Sequence, residues 1–245
     1  MQQTWIILGA SSSMARAFVR ELAARGDSVL LAGRDMADLA ALASDAGLRG
    51  APLAEAIAFD ARDPVSFGPI IERATAVEGT ISCAVFVGSM PPQSAIDADP
   101  SLIDGTVTDS YTGPARFLHM LAPLLEQRGT GTVIGVGSVA GDRGRLPNYV
   151  YGSAKAGFHA YLSGLRNRLG RSGVHVVTVK PGVIDTAMTW GLPGIKKAAA
   201  PEAVAAALIR AAEKKRNILY TPSIWRWIML IIRTIPEPVF KKLRI

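Results

Sequence analysis

The sequence predicts a single α/β domain, a doubly wound parallel sheet of about seven strands with helices on both faces. Three observations predict it. Short apolar runs alternate with longer segments of helical periodicity along most of the chain. The apolar runs are continuous rather than alternating, as expected of strands covered on both sides. Gly9, Arg34, Asp60, Gly88, Ser138 and Pro181 each stand just after such a run, where open parallel sheets bind their ligands.

The elements follow in order. Thr4–Leu8 reads as the first strand and Gly9-Ala-Ser-Ser-Ser as a turn of small residues. Met14–Arg25 is helical through Phe18, Val19 and Leu22, with Gly26 as its stop. Ser28–Ala32 is the second strand, followed by Gly33-Arg34-Asp35 and a helix to Ala46. The third strand, Ala56–Phe59, ends in Asp60. Pro64–Glu78 reads as helix and Ile81–Val87 as the fourth strand. A loop containing Pro91, Pro92 and Pro100 precedes a helical stretch, Leu102–Gln127, disturbed at Gly113-Pro114. Thr132–Val136 is the fifth strand, Val150–Leu169 a long helix, and Val174–Val179 the sixth strand. Pro181–Ala199 is a Gly- and Pro-containing loop, Pro201–Lys214 a helix, and Asn217–Tyr220 the seventh strand.

The chain of 245 residues is 49% hydrophobic and 19% charged, enough for one buried core. Its lone cysteine, Cys83, lies in an apolar run, which excludes an internal disulfide and suits a reducing, cytoplasmic setting. Met1-Gln-Gln-Thr lacks a basic start and Trp5–Leu8 is too short for an export core, so no signal peptide is expected. The net charge of +7 is confined to residues 210–245, while residues 1–209 carry 18 basic and 18 acidic side chains. A neutral body without a recognition motif argues against nucleic-acid binding. His119, His159 and His175 lack metal-ligand spacing, so structural roles and no metal are expected.

The first turn meets the needs of a Rossmann-type dinucleotide site. Gly9, Ala10, Ser11, Ser12, Ser13 and Ala15 are small, and a helix N-terminus follows to face an anion. The end of the second strand selects the cofactor: an acid there binds a ribose hydroxyl, an arginine a ribose phosphate. Gly33 leaves room and Arg34 offers a guanidinium, so NADP(H) is preferred over NAD(H). Asp35 reads as the N-cap of the next helix. Asp60 either bonds the adenine or caps the helix that follows.

Tyr151 and Lys155 are four residues apart, hence on one face of the long helix, and Ser138 lies just past the fifth strand. A hydroxyl, a phenol and an ammonium brought together suggest an acid–base site. Free tyrosine titrates near pH ~10, and a neighbouring ammonium is expected to lower that value. Tyr149 lies off this face and is expected at the mouth of the substrate site.

The ordered set Gly9–Ala15, Asp60, Gly88, Ser138, Tyr151-x-x-x-Lys155 and Pro181-Gly182-x-x-x-Thr186 resembles the short-chain dehydrogenase/reductase family over residues 4–221. The resemblance implies an NAD(P)-dependent oxidoreductase acting on alcohol and carbonyl groups. It implies Tyr151 as acid/base, Ser138 on the substrate carbonyl and Lys155 on the nicotinamide ribose. Cofactor contacts are implied for Gly9, Ser11, Ser12, Ser13, Met14, Arg34, Asp60, Ala61, Gly88, Tyr151, Lys155, Pro181 and Gly182. Thr186, with the backbone near Val183, would hold the carboxamide. Three departures stand out. Ser13 and Ala15 replace glycines, Val85-Phe86-Val87-Gly88 replaces Asn-Asn-Ala-Gly, and Ser110 stands where a catalytic Asn is frequent. A serine there could still hold a relay water. A homodimer or homotetramer built on helices 102–127 and 150–169 is also implied.

Residues 1–221 thus form the expected catalytic domain and 222–245 a basic amphipathic extension. Trp225, Trp227 and the apolar run Trp227–Ile232 stand among Arg226, Arg233, Lys241, Lys242 and Arg244. The run is far short of the ~20 residues that span a bilayer. It reads as an interfacial helix on an anionic membrane, or as a helix packed on protein. The tail also resembles that of family members acting on lipid-linked keto sugars. The expected activity is NADPH-dependent reduction of a ketone or keto sugar, with a small or a lipid-linked compound as the substrate. The alternative is a catalytically idle dinucleotide sensor on the same fold.

Overall fold

The computed structural model describes residues 3–190 and 198–243. Seven strands form one parallel sheet: β1 (Gln3–Leu8), β2 (Ser28–Gly33), β3 (Ala54–Ala58), β4 (Thr80–Val85), β5 (Thr132–Val136), β6 (His175–Pro181) and β7 (Ile218–Thr221). Their order is β3-β2-β1-β4-β5-β6-β7, so the winding reverses between β1 and β4. That reversal opens a crevice at the carboxyl ends of the strands.

One face of the sheet carries α1 (Ser13–Ala24), α2 (Met36–Leu48) and α8 (Pro201–Glu213). The other carries α3 (Phe67–Ala76), α6 (Gly113–Arg128) and α7 (Tyr149–Gly170). The period of two in β1 divides its side chains between two cores. Trp5 and Ile7 pack with Phe18 and Leu22, whereas Ile6 and Leu8 pack with Phe67 and Phe117. Cys83 is fully buried in the second core, and burial pushes its thiol far above the ordinary range, leaving it unreactive.

Two segments depart from the expected elements. The proline-containing loop includes a short helix, α4 (Gln93–Ala98), begun by the Pro92 carbonyl, which accepts from Ala95 and Ile96. Six residues are too few for periodicity to reveal it. The stretch expected as one disturbed helix divides into α5 (Leu102–Val107), a π turn at Thr108–Thr112, and α6. Pro114 cannot donate to the carbonyl four residues back, so the widened turn falls just before it.

The tail forms α9 (Ile224–Thr234) and the single turn α10 (Glu237–Phe240). Met229 is fully buried on the inner side of α9. Arg143 holds the far end. Its Nη1 donates to the Ile232 and Ile235 carbonyls at 2.6 and 2.7 Å, its Nη2 pairs with Glu237 at 2.9 Å, and its guanidinium stacks on Phe240. Ile224, Trp227, Leu230 and Ile231 are exposed on the outer side. Among the described residues no helix is long and apolar enough to cross a membrane.

Candidate active site

The turn after β1 is built for close approach. Gly9 has φ +75°, a region costly for residues with a Cβ, and a Cβ there would meet the Val87 nitrogen at 3.1 Å. The N–H groups of Gly9 and Ala10 donate to the Ala32 carbonyl at 2.9 and 3.2 Å, which pins the turn to β2. The Ser12 hydroxyl caps α1 by accepting from Ala15 N at 3.3 Å. A cavity of about 190 Å³ opens here, lined in part by Gly9, Ser11, Ser12, Arg34, Asp60, Ala61 and Gly88. Ser13 begins α1 and is not part of that lining.

Asp35 is the N-cap of α2, accepting from Asp38 N at 3.1 Å, as its position suggested. Arg34 is exposed at the cavity, whereas nearby Arg16 is paired with Asp38. Of the two roles open to Asp60, capping belongs to Asp63, which accepts from Val65 N at 3.0 Å. Asp60 instead accepts from Arg62 N at 2.9 Å and lines the cavity.

A second cavity, of about 380 Å³, is lined by Met14, Ser138, Tyr151, Pro181, Gly182, Val183 and Thr186, among others. Ser138 lies two residues past β5 in extended backbone, and its hydroxyl accepts from Ala140 N at 3.1 Å. Tyr151 lies in the first turn of α7, with Lys155 one turn on. The Lys155 Nζ donates to the Val136 carbonyl at 3.1 Å and the Val87 carbonyl at 3.3 Å. An ammonium has three donors, so one remains for a further acceptor. Backbone carbonyls therefore receive Lys155 although the segment 85–88 carries no asparagine.

Burial governs the protonation of this pair. Desolvation pushes the Tyr151 phenol up to about 12, with the Ser138 side chain acting in the opposite sense. Desolvation pulls the Lys155 ammonium down to about 8. The expectation that Lys155 would lower the phenol below its ordinary value is thus corrected. Nζ lies 5.8 Å from the Tyr151 ring centroid, and the cost of burying a phenolate dominates. A phenol held this high keeps its proton throughout the neutral range.

Comparison with known proteins places this geometry. The family described as short chain dehydrogenase matches residues 3–194. The chain belongs to the short-chain dehydrogenase family. An uncharacterized oxidoreductase of Mycobacterium tuberculosis (strain ATCC 25618 / H37Rv) is 32% identical over 239 residues, covering 97% of this chain and 96% of that protein. A sulfoacetaldehyde reductase of Chromohalobacter salexigens is 32% identical over 200 residues, covering 79% of this chain and 77% of that protein. A short chain dehydrogenase of Burkholderia cenocepacia, solved in complex with NADP, shares the fold at TM-score 0.85 and 20% identity, covering 99% of both chains.

Within this short-chain dehydrogenase two expected side chains are committed elsewhere. The Ser110 hydroxyl donates to the Ser89 carbonyl at 3.1 Å and accepts from Ser89 N at 3.3 Å. Its one proton is engaged in tying the loop after β4, and one lone pair of the oxygen is left for a further donor. Tyr149 donates to Asp97 at 2.5 Å and is not part of the lining of the Ser138–Tyr151 cavity. It fastens α4 to α7, a correction to its expected place at the mouth.

Two further residues of the dehydrogenase's site were not foreseen. His159 accepts the Ser138 backbone N–H through Nε2 at 3.3 Å, and burial above all pulls the imidazole down to about 3, so it stays neutral. A signal was present, since Tyr151, Lys155 and His159 recur every four residues on one helical face. Trp225, from the tail, lines the cavity and covers Gly182, where an added Cβ would meet its Nε1 at 1.8 Å. No periodicity in the sequence announces that contact. Among the described residues no group of three His, Cys, Asp or Glu could hold a metal ion. The part of the Pro181–Ala199 loop at 191–197 lies outside the described residues.

Proposed function

We propose that this enzyme is an NADPH-dependent carbonyl reductase that converts a ketone or keto sugar to the alcohol. The observation that carries the reading is the pairing of Ser138 and Tyr151 in one apolar-walled cavity, with the phenol held protonated by burial. The cofactor, when bound, supplies the hydride. Ser138 would bond the carbonyl oxygen as charge develops on it, and Tyr151 would pass its proton to that oxygen. The third donor of Lys155 fits a ribose hydroxyl. Gly9, Ser11 and Ser12 suit the pyrophosphate, Arg34 a ribose phosphate, and Val183 and Thr186 a carboxamide. The name of the sulfoacetaldehyde reductase relative is consistent with the reductive direction.

The reading extends to the tail. Exposed apolar residues of α9, with Arg226 and Arg233 on the same helix and Lys241 and Lys242 just after α10, support peripheral attachment to an anionic membrane and a lipid-linked substrate. A homodimer or homotetramer built on segments 102–127 and 150–169, which span α5 to α6 and α7, completes it. The test follows NADPH oxidation over a library of ketones and keto sugars, with and without membrane lipid extract. Consumption of NADPH that depends on a carbonyl supports the reading. NADPH binding without turnover on any carbonyl would favour an idle dinucleotide sensor.

A further inference from the structure

The cavity that holds Ser138 and Tyr151 is mostly apolar. Met90, Pro147, Met188 and Trp225 form part of its wall. Among the described residues that line it, Arg145 is the sole charged side chain. Arg145 is partly buried, and its Nε is shielded from solvent with no hydrogen-bond partner among the described residues. The neighbouring lining residue Asn148 likewise has a buried Oδ1 without a partner.

The nearest acidic influence on the guanidinium is Asp142, but both Asp142 oxygens are occupied. Lys180 donates to Oδ1 at 2.5 Å and Tyr220 to Oδ2 at 2.6 Å. Residues 191–197, Gly-Leu-Pro-Gly-Ile-Lys-Lys, contain no carboxylate side chain that could serve instead. A guanidinium carries five donors and stays charged even where burial pulls its pKa down, as it does here. Placing one without a counter-ion in an apolar wall is costly unless a ligand supplies the missing charge.

We propose that Arg145 is an oxyanion-recognition residue of the substrate site, selecting carbonyl compounds that join an apolar body to a carboxylate, phosphate ester or sulfonate. The proposal rests on the carbonyl-reductase reading for the identity of the pocket. It goes beyond that reading by naming the charge of the substrate. A planar guanidinium bonds two oxygens at once, so it discriminates an oxyanion from a neutral amide of the same shape.

The test compares benzoylpropionate, its uncharged amide and phenacyl phosphate as ligands of the enzyme saturated with NADP+, by calorimetry, and as substrates with NADPH. The anionic ligands are expected to bind about 10- to 100-fold more tightly than the amide. In Arg145→Met that ratio should collapse toward one, and Arg145→Lys should keep part of it. The carboxylate and phosphate arms decide which oxyanion fits better. Equal binding of acid and amide by the unaltered protein would overturn the proposal, whatever the variants do. It would also fall if Arg145→Met weakened NADPH binding as much as anion binding, since the guanidinium would then serve the cofactor. Charge-selective binding without turnover would leave the anion site standing and count against the reductase reading alone.

Discussion

The His159 imidazole accepts the Ser138 backbone N–H through Nε2 at 3.3 Å, and the glycines around Ser138 make room for it. An added Cβ at Gly137 would meet the ring at 2.1 Å, and one at Gly141 would meet it at 2.8 Å. His159 is therefore a positioning residue that fixes the Ser138 backbone from behind. His159→Leu removes the acceptor and should lower kcat about 10-fold, the cost of one lost buried bond, with the NADPH Kd unchanged. His159→Gln offers an amide oxygen and should recover most of the loss. A merely structural role would lower thermal stability in both variants without separating their kcat values.

The same histidine makes stability depend on pH. Its pKa falls from about 6.5 unfolded to about 3 folded. The unfolded chain therefore binds more protons between those values. Stability should be at full strength above pH ~6.5 and decline as pH falls toward ~3. Urea midpoints measured across that window should fall less steeply in His159→Gln than in the parent.

Tyr151→Phe removes the proposed proton donor while keeping the ring that fills the cavity wall. Turnover should drop by about 10²- to 10⁴-fold, and the NADPH Kd, read by fluorescence titration, should stay within a factor of about two, the ring being retained. The pH profile separates the partners. Lys155 loses its proton near 8 in the ligand-free enzyme, so kcat/KM should fall as pH rises through that value. Tyr151 stays protonated to about 12, so no loss below that point should arise from it. A profile flat from pH 7 to 10 would contradict this assignment to Lys155.

The seven strands and their helices were legible because the long periodic segments and buried apolar runs carry their own signal. The spacing from Tyr151 to Lys155 was legible for the same reason, since both lie on one helix. Three features were not. Protonation was misjudged because sequence shows a neighbouring ammonium but not the desolvation that outweighs it at Tyr151. The commitments of Ser110 and Tyr149 were not legible because their partners, Ser89 and Asp97, come from other segments and claim their hydroxyl protons. Trp225 was invisible as a wall of the cavity because 43 positions separate it from Gly182, the backbone it covers.

Arg34 tests the cofactor preference. It is exposed beside the cavity next to Gly33, and Asp35 is engaged in capping α2. Arg34→Ala should raise the KM for NADPH about 10- to 100-fold, the range of a charge-assisted pair, and leave the NADH value nearly unchanged. The ratio of kcat/KM for the two cofactors is the readout. A ratio unmoved by the substitution would shift the role to Arg16, which would first have to leave Asp38.

Deleting residues 222–245 is a poor test of membrane attachment, because the deletion also strips Trp225 from the cavity wall and unpairs Arg143. The outer face of α9 offers a cleaner one. Ile224, Trp227, Leu230 and Ile231 fall within one arc of the helix, and Trp227 is 60% exposed. Arg226 and Arg233 share one edge of that arc, between it and the buried Met229. Trp227→Asp with Leu230→Asp keeps the docked inner face and replaces the apolar one. Co-sedimentation with phosphatidylglycerol vesicles should fall at least about 10-fold in that variant, given ~1.5–3 kcal/mol for each large apolar side chain buried. Binding by the parent should weaken with added salt, since each basic residue contributes about 1 kcal/mol near an anionic surface. Turnover of a water-soluble ketone should not change. Equal sedimentation of parent and variant would assign the exposed face of α9 to contacts with protein instead.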